Sequence, residues 1–214
     1  MWQDLPPNTR DWSEEDWERF FEEQDRLFQE THAQTLQQSS EGAGAAPSCP
    51  IEAVGPDDET DEAWLDDDDE EPEDPLDAQV LDELDEIPAW RAGVELSDRV
   101  YTYVAPVCRE QPGGPVLYIA RTLCRESYLV HDYVEAGHEI GYDEETLCGN
   151  IAMCLRARRA IDRCIQCLER LGGSGSGLGG AGAEQCRRLT TRAIVTRVFI
   201  DQRIAELRQK VWWR

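Results

Sequence analysis

The apolar residues recur at three and four residue steps in five stretches, and each stretch predicts an amphipathic helix. In the first, Trp17, Phe20, Phe21, Gln24, Leu27, Phe28 and Thr31 form one stripe of a helix that starts after Ser13 and runs to about Gln37. Ser13 can cap it, and Glu14, Glu15 and Asp16 place negative charge at the positive end of the helix dipole. Trp12 and Trp17 have the spacing of a hydrophobic staple. The stripe must dock either on the chain's own core or in a groove of another protein.

Four further stretches follow. Leu96, Val100, Tyr103 and Val107 mark a helix from about Pro88 to Glu110, with Pro106 placed to bend its last turn and Pro112-Gly113-Gly114 to end it. Val116, Ile119, Ala120, Leu123, Val130 and Val134 mark the next, from Pro115 to Ala136, with Gly137 and Gly141 as stop signals. A third is capped by Asp143 and runs to about Leu171. Its rows Leu147, Ile151, Cys154, Ile161, Ile165, Leu168 and Met153, Ala157, Ala160, Cys164 lie side by side, so its buried arc is wide and its position central. Leu189, Ala193, Ile200, Ile204 and Leu207 mark the last, from about Ala183 to Val211. No segment alternates with period two, so no sheet is expected.

The predicted fold is therefore all-α: an up-down bundle of about four helices, with coiled-coil-like seams, over residues 88–214. It is preceded by an amphipathic aromatic helix over 1–38 and a disordered acidic linker over 39–87. Charge supports that division. Of the net charge of -24, residues 1–90 carry 30 acidic and 3 basic side chains, against 15 and 18 in 91–214. A segment so self-repelling, with the run Asp66-Asp67-Asp68-Asp69-Glu70-Glu71, cannot bury enough apolar surface to offset the entropy of ordering. Trp64, Leu65, Leu76, Val80, Leu81, Leu84, Ile87 and Trp90 punctuate the acid, the pattern of a segment that folds against a basic surface. The acidic excess excludes whole-chain attraction to nucleic acid or anionic lipid and leaves only local contact.

Met1-Trp2-Gln3-Asp4 lacks the character of a signal peptide, and no run of about 18 apolar residues is present to span a membrane. The expected compartment is the reducing cytoplasm, where eight cysteines stay unpaired. Cys164-x-x-Cys167 falls mid-helix, where a small hydrophobic role or soft-metal ligation suits it better than redox chemistry. Glu135-x-x-His138, with His131 one turn earlier, has the ligand spacing of a di-iron helix, although the chain has only three histidines and no second such motif. Gly175-x-Gly177-x-x-Gly180 has dinucleotide spacing without a leading strand and reads as a flexible linker. No Ser-His-Asp, Cys-His or paired-carboxylate arrangement emerges, so neither an enzyme nor a resident cofactor is expected.

Arginines supply the remaining chemistry. Arg156, Arg159, Arg163 and Arg170 are expected to point outward from the third helix of the bundle, and Arg187, Arg188, Arg192, Arg197 and Arg203 from the fourth. This face suits bidentate contact with phosphate or carboxylate: a protein partner, weak nucleic-acid contact, or the chain's own tethered acidic arm.

Leu117-Tyr118-Ile119-Ala120-Arg121, Ile151-Ala152-Met153-Cys154-Leu155-Arg156-Ala157-Arg158 and Leu168-Glu169-Arg170-Leu171-Gly172 give residues 115–211 a resemblance to a family of small four-helix bundles. Its members are known from ribosomal-RNA intervening sequences and as reverse-transcriptase accessory proteins. The resemblance implies a non-enzymatic, often oligomeric protein whose basic surface engages nucleic acid. In place of that family's Ser-Ile-Pro-Ala-Asn-type turn this chain has His138-Glu139-Ile140-Gly141. The expectation is a helical interaction protein, a candidate homo-oligomer, whose partner-binding residues are Trp17, Phe20, Phe21, Phe28 and the arginines 156, 159, 163, 170, 187 and 188. The alternative is a metal-binding bundle using Glu135, His138, Cys164 and Cys167.

Overall fold

A computed structural model of the chain describes residues 9–42, 83–110, 114–173 and 179–213. These are all-helical, with no strand among them, in line with the absence of period-two patterning. A short 3-10 turn at Thr9–Asp11 leads into α1 (Glu14–Gly42), followed by α2 (Pro88–Glu110), α3 (Gly114–Ile140), α4 (Leu147–Gly172) and α5 (Gly179–Gln209). Most of the expected acidic linker, and with it Trp64, Leu65 and the Asp66 to Glu71 run, lies outside the described residues. No helix among the described residues is long and apolar enough to cross a membrane.

The chain divides into two compact units, residues 1–20 with 80–214, and residues 21–79, so the boundary falls inside α1. In the second unit the helix is held by local contacts. Arg26 pairs with Glu23, the Thr31 hydroxyl donates to the Leu27 carbonyl, and Phe28 stacks on His32 at 6.3 Å.

In the first unit α3 packs on α2 and α4, and α5 packs on α4 and returns to α2. Neighbours run antiparallel. Trp90 at the start of α2 bonds Glu135 at the end of α3, Arg163 meets Glu126, Arg158 meets Asp201, and Tyr103 reaches Cys186. Pro88 begins α2, where its missing N–H costs no hydrogen bond, and the exposed Pro106 is carried inside the helix. Leu84 and Ile87, at the end of the acidic segment, are buried in the same core as Leu96, Val100 and Val104. The two adjacent rows on α4 are buried except for Ile165, which is half-exposed.

Four boundaries differ from the sequence reading. Gly137 does not stop α3, which continues to Ile140; it is buried where α3 crosses α4, and a Cβ there would lie 3.0 Å from Asn150 Oδ1 and 3.2 Å from Met153 Cβ. The stop is Gly141, whose φ of +112° L side chains rarely adopt, and its carbonyl accepts the Asn150 side-chain amide at 3.1 Å. Asp143 does not cap α4 with its side chain. Its carbonyl accepts the Thr146 and Leu147 N–H groups in a turn that leads into the helix at Leu147. α1 and α5 also run longer at one end than predicted, to Gly42 and from Gly179.

Candidate functional site

The first turns of α1 are set by a reciprocal cap. The Asp16 N–H donates to Ser13 Oγ at 3.1 Å, while the Ser13 N–H and hydroxyl donate to Asp16 Oδ2 at 2.8 and 2.6 Å. These bonds to Ser13, with Arg19 alongside, hold the Asp16 carboxyl below its usual range. A helix started there places Glu14, Trp17 and Glu18 on one side, at steps of three and four. Trp12 packs edge-on to Trp17 with ring centroids 5.3 Å apart, and Phe20 closes the cluster at 5.7 and 6.0 Å from the two indoles.

Trp17 is fully buried. It rests on the backbone of Gly149 in the first turn of α4, where a Cβ would approach the indole to 2.9 Å, so only glycine leaves room for the ring. One turn of α4 is thereby bare enough for an aromatic side chain to lie flat on it. Beside it the Glu18 carboxylate accepts from Arg156 Nε at 3.2 Å and Arg159 Nη2 at 2.5 Å. Arg156 is only 7% exposed, with its guanidinium 5.7 Å from the centre of the Tyr133 ring. Glu14 takes Arg208 of α5 in a two-bond fork at 3.0 and 2.6 Å, which raises the arginine's pKa, and Arg10 pairs with Glu144 at 2.6 Å.

Residues 9–20 therefore lie over part of the arginine face. The expectation that Arg156 points to solvent is corrected: it is buried beneath Glu18 and against Tyr133, because its long stem crosses apolar surface and its head has a carboxylate waiting. Arg159 joins it at the same carboxylate. Arg163 instead meets Glu126, a carboxylate 1% exposed that Arg125 also binds, at 2.7 and 2.6 Å. Arg187 and Arg188 share Glu184 within α5, and Arg170 is exposed near the end of α4. The six predicted arginines thus fall into separate settings rather than one stripe. Of the predicted aromatics, Trp17 and Phe21 are buried, Phe20 is half-buried, and Phe28 is 72% exposed.

No known protein family, curated protein or solved structure matches the chain.

The predicted metal ligands are engaged otherwise. Glu135 Oε2 accepts the Trp90 indole N–H at 3.2 Å. His138 Nδ1 lies 2.6 Å from the Tyr142 hydroxyl and its Nε2 3.5 Å from Glu83. His131 sits edge-on to Tyr128, its pKa lowered by burial. Cys164 is fully buried and Cys167 nearly so; burial pushes both thiols up, Cys164 well above its ordinary value. Among the described residues no group of three or more His, Cys, Asp or Glu side chains is placed to hold a metal ion.

Gly149 and Glu126 were not singled out from sequence. Glu126 carried a signal, since it lies three residues after Leu123 and four before Val130 on the apolar register of α3. A charge on that register needs a partner, and Arg163 supplies it.

Proposed function

We propose that this chain is a non-enzymatic helical-bundle interaction protein, and that the first turns of its acidic arm shield a binding face for an acidic, aromatic helix of another protein. The observation that carries the reading is Glu18 joined to both Arg156 and Arg159 with Trp17 laid on Gly149 beside it. That arrangement has the parts of a helix-in-groove complex: one buried aromatic anchor, a bare floor, and a carboxylate on paired arginines. The four antiparallel helices α2 to α5 form the up-down bundle in this reading. In this reading the acidic sequence between α1 and α2 is the covalent tether of the arm. A ligand tethered in this way has an effective concentration on the order of millimolar, so weak contacts keep the face closed until a tighter partner arrives.

The test is competition. A labelled peptide with the sequence of residues 9–28 is titrated against full-length protein, Glu18→Gln and Trp17→Ala across a salt series. The opened variants should bind the peptide about tenfold more tightly than wild type, less so as salt rises, and Arg156→Glu with Arg159→Glu should abolish the gain. If opening the arm gains no binding, residues 9–20 are a structural part of the core and the shielding role fails.

A further inference from the structure

α5 carries a second surface that residues 9–20 leave open. Arg188, Thr191, Val195, Val198, Gln202 and Ala205 are all exposed and follow one another at alternating steps of three and four, the spacing of a coiled-coil seam. At its centre Val195 and Val198 are 49% and 48% exposed, with Ile194 beside them at 48%. Next to this ridge runs an open trough between α2 and α5. One hollow of about 430 Å³ is lined by Ala92, Thr196 and Phe199 with the Glu95–Arg192 ion pair, and it leads to a second of about 570 Å³ bordered by Trp90, Val94 and Asp98. A ridge with this spacing can pack on its own copy across a two-fold axis, with the trough alongside it.

The charges at the two ends of the ridge indicate what fits there. Arg187 and Arg188 stand at the first end, their side chains 74% and 72% exposed, and share the single acid Glu184. Glu206 stands at the other end, exposed and with no ion pair among the described residues. An antiparallel second α5, related by a two-fold axis near residues 196 and 197, sets Val195 against the partner's Val198 and Thr191 against the partner's Gln202. It also brings Arg187 beside the partner's Glu206, and each contact occurs twice. A parallel pairing stacks arginine on arginine instead. We propose that this face is a homodimer interface, with α5 packed antiparallel on α5 of a second copy.

The net charge of -24 on each chain opposes association at low salt, so the measurement belongs at about 0.15 M salt, where the Debye length is about 8 Å. Sedimentation velocity of the full chain from micromolar to hundreds of micromolar should show the mass doubling. Val195→Asp should remain monomeric over that range, with unchanged helical circular dichroism because the position is exposed. Arg187→Glu or Glu206→Arg alone should weaken the dimer about tenfold, and the two combined should restore it to within about threefold of wild type. A wild-type monomer throughout, the result if another part of the chain covers the ridge, overturns the proposal. So does a Val195→Asp dimer as strong as wild type, or a charge exchange that fails to rescue.

Discussion

α4 and α5 both carry apolar residues at helical spacing, two adjacent rows on α4 and one on α5, and they end in different environments. α4 buries side chains over most of its circumference, from Leu147 and Ile151 through Met153, Ala157 and Ile161 to Leu168 and Leu171. α5 buries one row, Cys186, Leu189, Ala193, Ile200, Ile204 and Leu207, and leaves Ile194, Val195 and Val198 about half exposed. The difference lies in the number of neighbours. α4 is packed by α3 and α5, and Trp17 of α1 lies on its N-terminal turn; α5 has α4 and α2, and α1 meets it through the exposed Glu14–Arg208 pair. Burial of a helix follows from what surrounds it, and an aliphatic residue outside that ring stays in contact with solvent.

The comparison can be broken most strongly in the core of α4. Leu168→Ala should cost about 3 kcal/mol in chemical denaturation, the usual range for deleting a fully buried leucine. High pH should act on the same helix. Burial raises the Cys154 thiol to about 11 from an ordinary 9.0, and raises Cys164 as well. A raised pKa leaves stability intact below the unfolded value and removes it as pH rises toward the folded one. The melting temperature should therefore hold up to about pH 9 and fall between 9 and 11, and replacing Cys154 with Ala should flatten part of that fall.

Smaller effects test the cover that distinguishes the two helices. Gly149→Ala should displace Trp17 at a cost of roughly 1 to 3 kcal/mol, the range for forcing a methyl group into packed space. Acrylamide quenching of tryptophan fluorescence should rise in this variant while the helical signal of α2 to α5 persists. Glu18→Gln keeps the shape and loses the charge on Arg156 and Arg159. It should cost about 1 to 3 kcal/mol, because the buried Arg156 is left with a neutral partner while Arg159 is half exposed and screened, with faster hydrogen exchange confined to the start of α1. Val195→Ala, at an open position on α5, should change the stability of the monomer, measured at a protein concentration below dimerisation, by less than about 0.5 kcal/mol.

Much of this architecture is legible along the chain. Ser13 and Asp16 announce a helix start because a cap is satisfied within four residues. The rows on α4 announce a central helix because a wide apolar arc needs neighbours on more than one side. Other residues misled for a common reason. Gly137 reads as a stop on local propensity, yet it sits inside α3 where Asn150 leaves no room for a side chain. Arg156 reads as a surface charge, yet it is covered by Glu18, 138 positions away along the chain.

The helical class, the approximate register of each helix and the segregation of acid into the first 90 residues can be read along the chain, because propensity, periodicity and charge act over a few neighbouring residues. The packing of the helices sets which arginines are sequestered, that Gly149 is a floor for Trp17, that Glu126 is a buried counter-ion, and that among the described residues the outer row of α5 is about half exposed. Each of those outcomes depends on groups far apart in the chain arriving at one place, and that meeting is set by how whole helices pack.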